Sequence, residues 1–290
     1  MHKAACILIL ALVLAGCNSS SSSTPENNTY TVFTTVSDGG TINPAAASVQ
    51  HGNSTSFEIT PDDDHTIESV TGCGGSLTGN TYYTGPVTSN CTVSVSFKSE
   101  LYTKLDEKGK PLPDSATSWS CIKDHKTGLI WEEKTDDDGL RDWNHIYSWY
   151  NPDPATNGGY DGRKDGGDCT ESECDTYAYT QAVNDKTLCG IAGWRLPTID
   201  ELNTLVYCSS GEREDLHHEG SSGACIGKYE RPTINTNFFA NTSESSWFWS
   251  ASSHAYKAEK AWFLDFGNGS VNDNFFKIYN GKIRLVHDGL

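Results

Sequence analysis

The chain has 290 residues, a formal net charge of −17 and a mean hydropathy of −0.51, with 27 Gly, 10 Cys, 8 Trp and one Met. So acidic a chain offers no bulk attraction to nucleic acid, anionic headgroups or sulfated polysaccharide, which removes partners held by net charge. Its length suits one small and one medium domain, and its polar, Gly-rich composition points to a loop-rich exported protein rather than a helical bundle.

Residues 1–17 read as an export signal. His2 and Lys3 make a polar start, and Ile7 to Val13 form an apolar run too short to span a bilayer. Leu14-Ala15-Gly16-Cys17 resembles the bacterial lipobox, which implies signal removal and lipidation of Cys17. A secretory signal with an incidental Cys is the alternative. Asn18 in place of Asp favours a lipid anchor in the outer membrane over inner-membrane retention, with the folded part surface-exposed or facing the periplasm. Residues 18–29 contain Ser19 to Ser23 unbroken, have nothing to bury and are expected to be a flexible tether.

Residues 30–98 carry period-two runs at Tyr30 to Thr34, Phe57 to Ile59 and Val93 to Phe97, broken by Gly-rich and Asp-rich clusters. This predicts a small all-β module of short antiparallel strands. Gly39-Gly40-Thr41-Ile42, Gly52-Asn53-Ser54, Thr60-Pro61-Asp62 and Ser69 to Gly75 resemble a divergent InlB B-repeat module, which implies a spacer. Asp62-Asp63-Asp64 reads as a solvated turn, with calcium the competing reading.

Residues 99–114 read as a linker to a larger domain over 115–290. There, Lys126 to Glu132 predicts a first core strand, and Asp175 to Leu188 a helix capped by Asp175 or Thr176 with Ala178, Ala182 and Val183 on one side. Thr198-Ile199-Asp200-Glu201 is a capping box opening a second helix that bears Leu202, Leu205 and Val206. Strands are expected around 247–252, 261–266 and 282–287, with Asn268-Gly269 at a tight hairpin turn.

Cys6 leaves with the signal and Cys17 is taken by lipid, so eight Cys remain. An even number in an exported chain reads as four disulfides; paired zinc knuckles are absent. The expected pairing is Cys73–Cys91 within the small module, Cys169–Cys174, Cys208–Cys225 and, by elimination, Cys121–Cys189.

Five phrases of the larger domain, in order, resemble the Lcl C-terminal domain family (also known as DUF1566): Thr127-Gly128-Leu129-Ile130-Trp131, Gly193 to Thr198, Trp249-Ser250-Ala251-Ser252, Ala261-Trp262 and Ile283-Arg284-Leu285-Val286. The resemblance implies an α+β, C-type-lectin-like fold with two helices on small antiparallel sheets. A characterised branch binds sulfated glycosaminoglycans, which the acidic charge here disfavours. The polar run from His254 to Asn280 also resembles the variable region of proteins diversified by retroelements, whose varied side chains form the ligand surface; an ordinary polar loop has similar composition. His254, Tyr256, Asn268, Asn272, Asp273, Asn274, Lys277 and Tyr279 are therefore the candidate ligand-binding residues.

Trp247 and Trp249, two apart, face one side of a strand and read as core, with a sugar-stacking platform the alternative. Trp194, Arg195 and Arg284 read as structural, each Arg paired with carboxylates or carbonyls. From Glu132 to Asp175 there are 13 acids against 4 bases. Asp136, Asp138 and Asp142 are the candidate calcium ligands, without the EF-hand pattern; solvated acidic loops are the other reading. His217-His218-Glu219 lacks the H-E-x-x-H zinc spacing. No Ser elbow or reactive-Cys context suggests catalysis, and no further cofactor is implied. The expectation is a non-enzymatic, outer-membrane lipoprotein adhesin that binds an extracellular glycan or protein. The alternatives are a structural subunit of an envelope assembly, or an enzyme on a scaffold like that of formylglycine-generating enzymes.

Overall fold

The computed structural model describes residues 28–216, 223–245 and 247–289. Cys17, most of the tether and His217-His218-Glu219 lie outside them. Eight strands come first: β1 (Thr29–Val36), β2 (Gly40–Asn43), β3 (Ala46–Gln50), β4 (Ser56–Pro61), β5 (His65–Thr71), β6 (Ser76–Thr78), β7 (Thr81–Tyr83) and β8 (Cys91–Ser99). They form two four-stranded sheets, ordered β3-β1-β8-β5 and β2-β4-β7-β6. Alternation sends Val32, Phe57, Ile59, Val93, Val95 and Phe97 into one shared core. One pairing departs from the expected antiparallel pattern: β1 runs parallel to β8, with Val32 opposite Cys91 and Val36 opposite Val95. Period-two alternation is identical in both orientations, so the sequence could not distinguish them.

The remaining elements are β9 (Tyr102–Leu105), β10 (Cys121–Asp124), β11 (Ile130–Glu132), β12 (Tyr147–Ser148), α1 (Thr176–Asp185), α2 (Ile199–Thr204), β13 (Trp247–Ser253), β14 (Lys260–Asp265), β15 (Ser270–Phe276), β16 (Asn280–Gly281) and β17 (Val286–His287). Three sheets result: β17-β11-β10-β9, β12-β16 and β13-β14-β15. The molecule is thus α+β and mostly β, two helices set on small antiparallel sheets beside an all-β region. β9 falls within the expected linker 99–114, yet it pairs with β10, Tyr102 opposite Asp124 and Leu105 opposite Cys121. The expected strand 126–132 shortens to β11. Asp124 accepts the amides of Lys126 (2.8 Å) and Thr127 (3.2 Å), turning the chain there, and Gly128 supplies φ +79°.

Helix α1 starts as read, Asp175 accepting the Ala178 amide at 2.8 Å. It stops three residues before Leu188, because Thr187 takes φ +47° and turns the chain out of the helix, while Asn184 ties the last turn to the phrase that follows. Asn184 Oδ1 accepts the amides of Gly193 (2.7 Å) and Trp194 (2.9 Å), and its Nδ2 donates to the Trp194 carbonyl (2.8 Å). The buried stripe is Thr176, Tyr179 and Val183, with Ala178 and Ala182 only partly covered. At α2 the box closes both ways: Thr198 Oγ1 accepts the Glu201 amide (3.2 Å) and Glu201 Oε2 accepts the Thr198 amide (2.8 Å).

All four disulfides form as paired above: Cys73–Cys91, Cys121–Cys189, Cys169–Cys174 and Cys208–Cys225. Trp131, Trp149, Trp194 and Trp249 are fully buried. A buried ionic network runs through the same part of the chain. Arg284 donates to the Glu132 carbonyl (2.7 Å), Glu133 Oε2 (3.0 Å) and Thr242 Oγ1 (2.8 Å). Lys134 donates to Glu132 (3.2 Å) and Tyr179 (2.7 Å), and burial pushes its ammonium down to about 8 despite Glu132. Arg195 pairs with Glu201 (2.6 Å) and Asp288, so both arginines are structural.

Candidate functional site

The β13-β14-β15 sheet carries the region expected to bind ligand, and its two irregularities decide what each side chain does. Between Trp249 and Ser253, β13 spends four steps against two on β14, from Phe263 to Ala261. The bulged backbone is held by tertiary partners: Ala251 N–H donates to the Pro197 carbonyl (2.7 Å), Ser252 Oγ accepts the Ile199 amide (3.1 Å), and the Ser250 carbonyl accepts Trp149 Nε1 (2.8 Å). The Trp-Ser-Ala-Ser phrase thus docks the Trp-Arg-Leu-Pro-Thr phrase and builds scaffold. The second bulge lies in β15, where Asn272 opposes Phe263 and Phe275 opposes Ala261. It gives Asp273 and Asn274 two positions against one and re-aims their side chains.

An aromatic shelf runs along this sheet: the register puts Trp247, Phe263 and Phe275 on one face and Phe276 with Lys260 on the other, with Tyr279 touching both Phe275 and Phe276 at the edge. Trp247 meets Phe275 edge-on with ring centres 4.6 Å apart and Phe263 at 5.5 Å; Phe275 meets Tyr279 at 5.3 Å, and Tyr279 meets Phe276 at 5.9 Å. Trp249 is buried beneath, its Nε1 donating to the Tyr147 carbonyl at 2.9 Å. Trp247 was expected in the core and is instead 45 % exposed. Both indoles touch Phe275, as same-face residues should, but Trp247 begins the strand, opposite Asp265, and is covered less completely.

The expected ligand residues divide into three groups. His254, Tyr256, Asp273, Asn274 and Tyr279 lie toward the end of the sheet where Lys260 opposes Phe276, away from the end where Trp247 opposes Asp265. His254 Nε2 lies 3.4 Å from Asp273 Oδ2, while His254 Nδ1 accepts the Tyr256 amide at 3.0 Å, so both ring nitrogens are engaged. Lys260 donates to Asn274 Oδ1 with its ammonium 4.5 Å from the Phe276 ring centre. Asn272 accepts the Asn274 amide (2.9 Å) and shapes the bulge. Asn268 lies at the opposite end of β15, in the 266–269 turn, where Oδ1 accepts the Ser270 amide (2.9 Å) and its carbonyl accepts the Cys225 amide (2.8 Å). Only Gly269 of the expected turn pair takes positive φ (+78°). At about 3.3 Å per residue Asn268 is roughly 20 Å along β15 from Asn274, at the end of the sheet where Trp247 opposes Asp265.

Lys277 is a correction. It is fully buried, its ammonium donating to the carbonyls of Asn157 (2.7 Å) and Tyr160 (3.0 Å) and lying 4.0 Å from the Trp149 ring centre. Burial pushes it down to about 8. It pins the loop carrying Asn157 and Tyr160 against the end of β15 and cannot meet a ligand from outside.

The candidate calcium carboxylates do not converge. Asp142 accepts the amides of Asp137 (2.9 Å), Asp138 (2.9 Å) and Asn144 (2.8 Å), and Asp136 accepts Trp143 Nε1 (2.9 Å). Burial would raise the Asp142 carboxyl, but these amides and His145 hold it below the usual carboxylate range. Among the described residues no group of three His, Cys, Asp or Glu could hold a metal ion. Sequence reasoning missed Phe275, Phe276 and Lys260; the Phe-Phe doublet three residues before Tyr279 was the available signal.

The Lcl C-terminal domain family model matches residues 120–287. No curated protein and no solved structure matches the chain. The matched span exceeds half of the 290 residues and takes in both helices, the ionic network and the shelf-bearing sheet; the chain belongs to the Lcl C-terminal domain family.

Proposed function

We propose that this chain is a non-enzymatic recognition protein of the bacterial envelope, anchored through lipidated Cys17 in the outer membrane, which binds an extracellular glycan or protein through the end of the β13-β14-β15 sheet. The observation that carries the reading is the aromatic shelf: Trp247, Phe276 and Tyr279 remain substantially open to solvent on a sheet otherwise locked to its neighbours. Rigid aromatic rings supply contact area at little entropic cost, so such rings suit recognition. Support for a non-catalytic role comes from His254, whose ring nitrogens are occupied by Asp273 and a backbone amide rather than by a nucleophile. The open apolar rim of Phe276 and Ile278 favours one second reading, a structural subunit of an envelope assembly.

An array of glycans and envelope proteins probed with the detergent-solubilised full chain, with calcium and with chelator, tests the proposal. Binding lost on alanine replacement of Trp247, Tyr256, Asn274 and Tyr279 together supports it. Binding unchanged by those replacements removes this face as the recognition surface.

A further inference from the structure

The segment 149–156, the start of α1, Arg195-Leu196 and Ala251 of β13 enclose a pocket of about 270 Å³, and none of the shelf residues lines it. Three of its walls are rings: Trp149 is buried, Tyr150 half-buried and Tyr177 exposed, the two tyrosines meeting edge-on with ring centres 6.3 Å apart. Leu196 and Ala251 extend the apolar lining. These walls are set before anything binds. Thr176 Oγ1 accepts the Tyr150 amide (2.9 Å) and donates to the Tyr150 carbonyl (2.8 Å). Trp149 Nε1 donates to the Ser250 carbonyl (2.8 Å), and the Ala251 amide to the Pro197 carbonyl (2.7 Å). A preformed hollow lined by aromatic side chains is the usual form of a small-ligand site.

The polar groups around it are mostly spent within the fold. Thr180 Oγ1 donates to the Thr176 carbonyl (2.7 Å), Asn151 Nδ2 to Thr156 Oγ1 (2.9 Å), and Thr156 Oγ1 to Asp153 Oδ2 (3.0 Å). Arg195, the one charged lining residue, gives its guanidinium to Glu201 (2.8 and 2.6 Å) and Asp288. Lys164, the cation that acts on Tyr150, pairs with Glu173 at 3.0 Å. An ion entering here would shed water without meeting an open counter-charge, and a sugar would leave most of its hydroxyls unpaired. The hydroxyls of Tyr150 and Tyr177 make no hydrogen bond among the described residues, so one or two polar contacts remain on offer. A cavity of about 150 Å³ suffices for benzene, which makes this one the size of a single substituted ring. Aromatic walls favour an aromatic guest over an aliphatic one of equal area, through edge-on and offset contacts.

We propose that this pocket binds one uncharged aromatic ring carrying a single polar substituent, held against Trp149, Tyr150 and Tyr177. The site is separate from the sheet end and stands or falls without it. The test titrates the detergent-solubilised full chain by ligand-observed NMR with phenol, indole and benzyl alcohol. Cyclohexanol serves as the aliphatic counterpart, benzoate and benzylamine as the charged ones, N-acetylglucosamine as the sugar, and capped tyrosine amide as the side chain of a partner. The expected result is saturable binding of a neutral aromatic with a dissociation constant on the order of 1 mM, several-fold tighter than cyclohexanol and at least about tenfold tighter than the charged rings or the sugar. Tyr177→Ala weakens it about tenfold, while Tyr177→Phe and Tyr207→Ala, which alters an exposed tyrosine outside the pocket, leave it nearly unchanged. Retention by Tyr177→Phe separates a lost wall from lost folding. No saturable binding of any neutral aromatic, equal binding of cyclohexanol or of the charged rings, tighter binding of the sugar, or binding indifferent to Tyr177→Ala overturns the proposal. Within a supporting result, capped tyrosine amide binding as tightly as phenol puts the ring on a partner's side chain, and binding about tenfold weaker puts it on a free small molecule.

Discussion

Arg284→Met tests whether the buried ionic network holds the C-terminal fold together. Met fills much of the volume of the arginine stem, so little cavity is left, and the main loss is the partner of a buried carboxylate. In the native protein Glu133 accepts Arg284 at 3.0 Å and the Asn241 amide at 3.0 Å; the variant keeps only the second of these contacts. Removing one member of a buried pair costs about 3–5 kcal/mol. The lower half of that range is expected, because Arg284 Nε already lacks a partner and one desolvation penalty disappears with it. The loss depends on pH. Burial already raises the Glu133 carboxyl while Arg284 opposes, so without Arg284 it rises further. Between the unfolded value near about 4.3 and the raised folded value, the folded state then binds more protons than the unfolded state. Stability therefore falls as pH rises through that window, and the variant is impaired least near its lower edge. Urea unfolding with disulfides intact, followed by tryptophan fluorescence, reads this cleanly: all 8 Trp lie from Trp119 to Trp262, so the signal ignores the N-terminal sheets. Adding Glu133→Gln should recover part of the loss and flatten the pH dependence. A cost under about 0.5 kcal/mol, or an equal cost across the pH window, would refute the argument.

Other expectations follow from the same geometry. Cys121→Ser with Cys189→Ser, which opens a loop of sequence separation 68, should cost about 4 kcal/mol, against about 2 kcal/mol for the Cys169 and Cys174 pair with separation 5; equal urea midpoints for the two variants would contradict loop entropy as the cause. Thr198→Ala should cost about 1 kcal/mol through loss of the capping box, with Thr198→Ser near neutral in the same assay. Lys134 and Lys277 are both lowered by burial, so from about pH 8 up to their unfolded values the unfolded chain holds more protons and their contribution to stability rises with pH. Lys277→Met should shrink that rise in a pH series of thermal midpoints; an unchanged slope would mean that the ammonium is not the buried group titrating.

The N-terminal alternation, the capping box, the Asp175 cap and the four disulfide pairs were all legible in the sequence. The alternation and the caps depend on neighbours a few residues away; the disulfide pairs were read by joining cysteines close in sequence, which left Cys121 and Cys189 by elimination. The Trp and Arg phrases likewise announced a scaffold, and the buried Trp131, Trp194, Trp249 and Arg284 form it. Where the reading went astray, distant chain made the decision. Trp247 and Trp249 share a strand and a face, yet only Trp249 is covered. Lys277 sits in a polar run that reads as surface, yet carbonyls 120 and 117 residues away receive its ammonium. Tyr102 to Leu105 looks like connection until Cys121 to Asp124 pairs with it.

The sequence by itself determined short strands, two capped helices and a disulfide-bonded chain, because periodicity, caps and cysteine count are written locally, while its family and α+β fold were implied by the resemblance of its Trp and Arg phrases. Only the tertiary structure decided which polar and aromatic residues remain open. Exposure belongs to whatever packs above a side chain, and in this protein that covering comes from segments a hundred or more residues away, complete over Trp249 and partial over Trp247.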